Sequence, residues 1–382
     1  MVAKVRDGVV KRGSTWSYVV RVADPGTGRS RPKWVSGFPT EVAAKAARDE
    51  ARVAAGPGEY VDRSSTMVAA YLREWLETHS VAVKPTTFCG YKHNVEHYTI
   101  PRIGNLRLQA VRPATISKLY RDLLEHGGRR EGPLSPLTVD GVHRTLRKAF
   151  NDAVRVEQLL PSNPVVRATR PKARGKERAD LWTTEQLRTF LSVAADHRLG
   201  AFYRLAAYSG ARRGELTHMR WADLDLDAAE LTITGSAATI DRVRVEGTTK
   251  GGGSRVISLD AGTVEVMRAH RRAQLAEQLA ARTWWQDGDD LVFLREDGAP
   301  MHTDTPTALM PKLVAQAGLP HTRLHDLRHL HATTLLLAGV PVHVVAARLG
   351  HADPSITLRV YAHVLREQAS GVADVFATAV DG

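Results

Sequence analysis

Two adjacent arginines at the start of a predicted helix are the first candidates for chemistry on a phosphate. In the segment YSGARRGEL, residues 208–216, one helix is predicted to end at Gly210 and another to begin at once. Free backbone N–H groups at a helix N-terminus favour an anion, and a guanidinium adds forked donors. We therefore expect Arg212 to face a phosphate and Glu215 to orient a neighbouring arginine through a charge-assisted pair. A solvated arginine pair at a helix start would give the same pattern.

Lys250 is a candidate proton donor. It stands in TTKGGGSRVISL, residues 248–259, which predicts a β-hairpin with the lysine at its tip. The glycine triplet that follows predicts a mobile loop, and a lysine on such a loop can reach a reacting group and donate a proton. A lysine in a solvated turn is the alternative interpretation.

Three histidines and an arginine share the segment HDLRHLHATTLLL, residues 325–337. His325 and Arg328 are three residues apart, which places them on one face of a helical turn. They precede an apolar run, so we expect this polar start to face outward from a buried helix. The histidines suggest a metal site, but no HExxH motif or cysteine cluster completes one. We therefore expect no metal, and we expect His329 and His331 to pack or to support other groups.

The segment LGHADPSITLRVYAHV, residues 349–364, contains the last two candidates. His351 follows a glycine in a turn, and Pro354 and Ser355 open a short helix that carries Tyr361. A tyrosine near a helix end usually packs in the core with its hydroxyl in water. Tyr361 becomes a candidate nucleophile only in combination with the other candidate residues of these four segments.

Together these four segments resemble the tyrosine recombinase family, also called the lambda-type integrases. The family's signature is Arg, Lys, His-x-x-Arg, His or Trp, and Tyr. The segments match it in order and in approximate spacing, and the resemblance covers residues 181–370. It implies that Glu215 supports the catalytic residues, and that these are Arg212, Lys250, His325, Arg328, His351 and Tyr361.

The resemblance also implies a mechanism. Tyr361 would attack the scissile phosphorus and form a covalent 3′-phosphotyrosine, which the free 5′-hydroxyl of a partner strand would reverse. Arg212 and Arg328 can stabilise the negative charge on the non-bridging oxygens with fixed donors. No metal, nucleotide or other cofactor is then expected, because the new bond retains the phosphodiester energy.

Protons would be handled by the remaining three residues. Lys250 would protonate the leaving 5′-oxygen. His325 would assist proton transfer at the tyrosine or the phosphate, and His351 would donate a hydrogen bond to the phosphate.

The sequence as a whole predicts a multidomain, mainly α protein with small β-sheets. Residues 1–62 predict a small β-rich domain, with strands over 14–22 and 31–38 and a helix capped by Thr40. Residues 1–33 hold eight basic and two acidic residues, an excess of +6. A basic sheet can enter a DNA groove, and this part resembles the three-stranded arm-site-binding domain of integrases. A solvated hairpin is the alternative.

Residues 63–168 predict a helical domain that resembles the core-site-binding domain of the family. Apolar residues at helical spacing predict helices over 66–78, 86–98, 113–126 and 135–157, with an irregular connection over 101–108. Its basic residues Arg144, Arg147 and Lys148 are candidate DNA contacts, although a solvated basic face would look the same.

A basic linker is predicted over residues 169–180, ahead of an α+β catalytic domain over residues 181–382. The linker belongs to a wider boundary segment, residues 163–180, that is rich in basic residues. Arg170, Lys172 and Arg174 are expected to lie against DNA phosphates. An exposed linker without a partner is the other interpretation.

Composition agrees with a polyanionic partner. The 382-residue chain has 53 Lys and Arg against 41 Asp and Glu, a net charge of +12. Cys89 is the one cysteine, so an intramolecular disulfide is excluded and a reducing compartment is favoured. No apolar run of about 18 residues and no signal-peptide pattern occurs. We expect no membrane contact and a cytoplasmic, nucleoid-associated protein.

Partners follow from the resemblance. It implies double-stranded DNA attachment sites and a homotetramer on DNA, with an excisionase and a host DNA-bending protein as further candidates. The helical apolar pattern of residues 362–378 is expected to dock on a neighbouring protomer, with packing on its own domain as the alternative.

Three other functions are compatible with parts of this pattern. A type IB topoisomerase would relax supercoils without joining two sites, and a housekeeping recombinase of the Xer type is also possible. The small basic N-terminal domain favours an integrase over both. A DNA-binding regulator without activity would be expected to lack catalytic residues, and all six are present.

Overall fold

The computed structural model describes residues 8–23, 30–54, 61, 64–128, 132–170, 181–249, 251–286, 289–351, 353–355, 357–358, 377–378 and 380–381. The chain divides into two compact units, residues 1–175 and 176–382. Four of the predicted site residues lie outside the described residues: Lys172, Arg174, Lys250 and Tyr361. So does most of the predicted segment 362–378.

The first unit begins with a three-stranded antiparallel sheet in the order β1-β2-β3. The strands are β1 (Val9–Arg12), β2 (Thr15–Ala23) and β3 (Ser30–Phe38), and helix α1 (Glu41–Ala54) follows. The predicted cap is confirmed, since the backbone N–H of Ala43 donates to Thr40 Oγ1 at 3.2 Å. The buried core between sheet and helix consists of Val9, Tyr18, Val20 and Ala44.

A helical bundle follows in the same unit. Its helices are α2 (Val68–Ser80), α3 (Pro85–His93), α4 (Ile100–Ile103), α5 (Pro113–His126) and α6 (Pro136–Arg155). The predicted helices are confirmed. The irregular connection predicted over 101–108 is partly wrong, because a π-helical turn (Asn94–Thr99) continues α3 directly into α4. The Thr99 hydroxyl donates to the carbonyl of Asn94 at 3.0 Å and helps to hold this turn.

The chain after α6 still packs on the bundle. Val165 is fully buried, the Asn163 side-chain amide donates to the carbonyl of Arg147 at 3.0 Å, and the backbone N–H of Thr169 donates to Ser117 Oγ at 2.9 Å. The residues from 163 to 170 are therefore attached to the first unit, although their composition predicted the start of an exposed boundary.

The second unit combines helices with small antiparallel sheets. Helices α7 (Thr184–Ala195), α8 (Gly200–Ser209) and α9 (Arg213–His218) come first. The strands are β4 (Leu224–Asp225), β5 (Glu230–Ile233), β6 (Gly235–Ile240), β7 (Val243–Thr248) and β8 (Arg255–Ser258). Helices α10 (Ala261–Ala281), α11 (Thr305–Gln316), α12 (Leu324–Leu337) and α13 (Val342–Leu349) follow. Its core includes the fully buried Phe190, Phe202, Tyr203 and Leu205.

The strand pairing corrects one prediction. Residues 248–259 were expected to form a hairpin with Lys250 at its tip, but β7 pairs with β6 whereas β8 pairs with β5. Asp241 and Arg242, with φ of 48° and 68°, form the turn of the β6–β7 hairpin. A glycine-rich loop between two short strands looks like a hairpin locally, and only the tertiary fold decides which strands pair.

Within the described residues, no helix is long and apolar enough to cross a membrane.

Candidate active site

The turn between α8 and α9 places Arg212 and Glu215. Helix α8 ends at Gly210, whose φ is +63° and whose Cβ, if present, would lie 2.8 Å from the His331 ring. Arg212 then caps α9, and Glu215 in its first turn accepts hydrogen bonds from the Arg212 backbone N–H at 2.9 Å and from its Nη1 at 2.8 Å. The predicted orienting pair is present, and its three-residue spacing is that of a helix cap.

Glu215 is shared with a second arginine that sequence analysis did not identify. Its side chain is 1% exposed, and Arg255 at the start of β8 donates to its two oxygens at 2.6 and 3.2 Å. Burial by itself raises the pKa of Glu215, but the hydrogen bonds and charge of Arg255, with those of Arg212, outweigh it and hold that pKa below its ordinary value. The carboxylate is thus ionised and lies between two guanidinium groups.

Arg328 on α12 is buried, which corrects the expectation that it faces outward. It is 4% exposed, and it donates to the carbonyl of Gly210 at 2.6 Å and to that of Leu349 at 2.7 Å. Arg212 Nη2 donates to the next carbonyl, that of Gly350, at 3.3 Å. Consecutive carbonyls of one turn therefore hold both predicted phosphate-binding arginines.

His325 stands at the start of α12, in the same helical turn as Arg328, as predicted. Its ring is exposed and meets the His329 ring edge to face, with centroids 4.9 Å apart. Desolvation, His329 and Arg328 lower the pKa of His325 to about 4. The imidazole is therefore neutral near pH 7 and can accept a proton.

His351 lies in the turn that follows α13. This helix ends at Gly350, with φ +67°, and the His351 Nδ1 lies 2.7 Å from Thr357 Oγ1. Desolvation and the charges of Arg328 and Arg212 lower the pKa of His351 to about 4. When Nδ1 accepts from Thr357, the neutral ring carries its hydrogen on Nε2 and can donate it to a phosphate oxygen.

His331 supports the same turns from behind, in line with the expectation that it packs. Its Nε2 lies 3.1 Å from Arg348 Nε, and Arg348 also donates to the carbonyls of Tyr208 and Ser258, each at 3.0 Å. Burial and Arg348 lower the pKa of His331 to about 4. Arg348 was missed by sequence analysis, because its partners are 140 and 90 residues away in the chain.

The loop from β7 to β8, in which Lys250 stands, is anchored on both sides of the lysine. Thr249 is buried, and its hydroxyl donates to the carbonyl of Gly253 at 2.8 Å. The backbone N–H of Gly252 donates to the Thr249 carbonyl at 3.1 Å. The loop was predicted to be mobile, and these contacts restrain its ends.

Several predicted DNA contacts of the first unit have acidic partners. Asp140 lies 3.4 Å from Arg144 and 2.5 Å from Arg170, and Lys148 lies 2.8 Å from Asp152. Arg147 is exposed on the same helix. The fold thus brings Arg144 and Arg170 together, although they are far apart in sequence, and DNA phosphates would compete with Asp140 for both.

In the part of the chain that the structure describes, no group of three or more His, Cys, Asp or Glu side chains is placed to hold a metal ion.

Known families match three successive parts of the chain. Residues 181–368 match the Phage integrase family, and residues 68–124 match the N-terminal SAM-like domain of phage integrases. Residues 9–53 match an Arm DNA-binding domain. The matched parts follow the order of the sheet, the bundle and the α+β unit.

Curated relatives are similar over most of their length. A protein named tyrosine recombinase XerC-like from Caldanaerobacter subterraneus is 25% identical over 354 residues, covering 88% of this chain and 89% of the relative. An integrase from Saccharopolyspora erythraea is 27% identical, covering 80% and 81%.

Solved structures share the fold. The Tn1549 transposon integrase, in complex with a circular intermediate DNA, aligns with a TM-score of 0.67 and 20% identity over 81% of this chain and 100% of that one. A lambda integrase tetramer bound to a Holliday junction aligns with a TM-score of 0.54 and 15% identity over 92% and 97%.

Proposed function

The chain belongs to the phage integrase family, and we propose that it is a site-specific DNA recombinase that cuts and rejoins DNA through a covalent 3′-phosphotyrosine at Tyr361. It would thereby integrate and excise a phage or another mobile element. One observation carries this proposal: consecutive carbonyls, those of Leu349 and Gly350, hold Arg328 and Arg212 immediately before His351.

The two arginines would stabilise the transition state. Attack on a phosphodiester places extra negative charge on the non-bridging oxygens, and donors that are already oriented stabilise it without further reorganisation. Arg328 is fixed by the Gly210 and Leu349 carbonyls, and Arg212 by Glu215 and Gly350. Arg212, whose side chain is 23% exposed, is the more accessible of the two.

Proton transfer would involve the neutral histidines and the lysine. His325 would accept the Tyr361 proton or pass it to the phosphate, and His351 would donate a hydrogen bond to a non-bridging oxygen. Lys250 would protonate the 5′-oxygen as its bond to phosphorus breaks. One phosphoester is exchanged for another, so the reverse step needs only the 5′-hydroxyl of the partner strand.

The domains would divide the recognition of DNA. Residues 1–62 would bind arm sites, and residues 63–168 would bind core sites with Arg144, Arg147 and Lys148. The basic linker 169–180 would follow phosphates with Arg170, Lys172 and Arg174, and residues 181–382 would carry out catalysis. The match of residues 9–53 to an Arm DNA-binding domain supports the first of these roles.

The assembly would be a tetramer on two attachment sites, because two strand exchanges need four active sites. The lambda integrase tetramer on a Holliday junction supports this for a protein of the same fold. Residues 362–378 would dock on a neighbouring protomer. An excisionase and a host DNA-bending protein would set direction, and the protein would act at the nucleoid in the cytoplasm.

A two-site recombination assay tests the proposal. Footprinting first maps the DNA that the purified protein protects, and a plasmid with two copies of that site is then incubated with protein and EDTA, without ATP. Recombinant products are expected. Relaxation of supercoils with no joining of the two sites would instead identify a topoisomerase-like activity and overturn the proposal.

A further inference from the structure

Arg255 lies at the centre of the arrangement that holds Arg212 and His351. Its guanidinium donates to both oxygens of Glu215, at 2.6 and 3.2 Å, and its Nε donates to the carbonyl of Arg348 at 2.9 Å. Its side chain is 11% exposed. With these donors turned to the protein, Arg255 is placed to act on other residues and not on the substrate.

The charges around Glu215 show what Arg255 adds. Glu215 is one negative charge, and Arg212 and Arg255 are two positive charges paired with it, so the cluster has a net charge of +1. Without Arg255, the buried carboxylate would neutralise Arg212 alone, and the cluster would have no net charge to offer an anion. A phosphate beside Arg212 would then also approach a carboxylate whose charge is less fully compensated.

Arg255 also lies directly against the turn that contains Gly350. A Cβ on Gly350 would meet the Arg255 guanidinium at 2.7 to 3.0 Å, and the carbonyl that accepts from Arg255 belongs to Arg348, two residues earlier. The Gly350 carbonyl accepts from Arg212 and His351 follows it. The strand start at Arg255 therefore touches both the helix cap of Arg212 and the turn of His351.

We propose that Arg255 is a positioning residue for DNA cleavage, which balances the charge of Glu215 so that Arg212 keeps its positive charge for the scissile phosphate, and which fixes the turn of His351. This inference rests on the proposed recombinase function. It assigns to Arg255 no contact with the DNA.

A substrate with an uncharged scissile position distinguishes the proposed role of Arg255 in DNA cleavage from a role in stabilising the fold alone. In a methylphosphonate a methyl group replaces one non-bridging oxygen, so the group has no negative charge and depends much less on a cationic partner. Single-turnover cleavage would be measured on a suicide site with either a phosphodiester or a methylphosphonate at the scissile position. Comparing the two rates within one protein sample cancels any loss of folded protein, because misfolding lowers both equally.

The variants are Arg255→Met, which removes the charge, and Arg255→Lys, which keeps the charge but not the fork. For Arg255→Met we expect cleavage of the phosphodiester to fall about 100-fold, as for a displaced catalytic group. On the methylphosphonate the same variant should stay within about threefold of the wild type, because the missing charge is no longer needed. Arg255→Lys should cleave the phosphodiester at a rate between those of the wild type and Arg255→Met. Arg212→Ala should likewise lose much more of its rate on the phosphodiester than on the methylphosphonate.

Arg198 supplies a matched control in the same unit. It also donates to both oxygens of one carboxylate, Glu277, at 2.9 and 2.7 Å, and to the carbonyls of Leu294 and Arg295. Arg198→Met should lower thermal stability but leave the ratio of the two cleavage rates unchanged.

Two results are decisive. If the Arg255 variants lose both rates in the same proportion, as Arg198→Met would, Arg255 is merely structural and the inference is wrong. If the wild-type protein cleaves no phosphodiester at its mapped site, the recombinase proposal itself fails, whatever the variants do.

Discussion

At the scale of residues, the site concentrates positive charge around one buried carboxylate. Glu215 is nearly fully buried and accepts from two arginines, while Arg328 donates to the carbonyls of Gly210 and Leu349. A buried carboxylate is expensive to desolvate and is retained only when its hydrogen bonds are satisfied. Here it orients the guanidinium groups before DNA arrives.

Three histidines around the site, His325, His331 and His351, make the stability of the free protein depend on pH. Below pH 6.5 a histidine of the unfolded chain becomes protonated, whereas the pKa values of His325, His331 and His351 are held at about 4 in the fold. The unfolded state therefore binds more protons, and the free energy of unfolding falls as pH drops from about 6.5 towards 4. We expect Tm to fall over this window in thermal unfolding without DNA.

A histidine variant tests this directly. In His331→Asn, Tm should fall less steeply with decreasing pH than in the wild type, since one of the shifted groups is gone. His343→Asn, on the exposed side of α13, is the control and should keep the wild-type slope. A His331 variant with an unchanged slope would contradict the assignment.

Local spacing made part of the site predictable. Arg212 and Glu215 are three residues apart at a helix start, so their pairing follows from helix geometry. The burial of Arg328 could not be inferred in this way, because the carbonyls that receive its hydrogen bonds are 118 and 21 residues away. Arg255 was missed for the same reason, since Glu215 is 40 residues away in the chain.

At the scale of elements, the turns at Gly210 and Gly350 connect helices α8 and α13 to the site. Gly350 ends α13 with φ +67°, and its carbonyl accepts from Arg212. In Gly350→Ala the added Cβ would press on the Arg255 guanidinium, at 2.7 Å, in addition to the backbone strain. We expect cleavage to fall about 100-fold, since a small displacement of catalytic groups has effects of this size.

A variant at Gly318 is the control, because it adds the same backbone strain as Gly350→Ala without displacing a neighbouring side chain. Its φ is +65°, and its Cβ would meet no atom within 4 Å. Gly318→Ala should cost roughly 1–2 kcal/mol of stability from the left-handed backbone, seen as a lower Tm, with normal single-turnover cleavage. Equal cleavage by the Gly350 and Gly318 variants would show that the turn of His351 does not position the site.

The helices were predictable and the strand pairing was not. Hydrophobic periodicity located α5 at the observed bounds, because an amphipathic helix shows its buried face in its own sequence. The π-helical turn at Asn94 gave no such signal, and the apolar pattern there continues as in an α-helix. The predicted pairing of β7 with β8 was wrong, because their actual partners, β6 and β5, are chosen by tertiary contacts.

At the scale of the whole molecule, truncation tests the proposal that different domains bind arm sites and core sites. A protein that lacks residues 1–62 should cleave core sites at the wild-type rate but bind arm sites more weakly, because the basic sheet is removed. The logarithm of the arm-site affinity should also fall less steeply with the logarithm of salt concentration, since fewer phosphates are neutralised. Titrations of both site types over a salt series measure these effects, and equal arm-site affinity in the truncated protein would contradict the role of this domain.

The covalent adduct identifies the nucleophile, because the residue that attacks the phosphorus stays joined to the DNA. A nicked suicide substrate carrying the mapped core site would be incubated with wild-type protein and with Tyr361→Phe, and the adducts digested and sequenced by mass spectrometry. We expect a 3′-phosphate joined to Tyr361 in the wild type, and in the variant normal DNA binding with no adduct. A covalent complex that survives in Tyr361→Phe, or an adduct on any other residue, would contradict it.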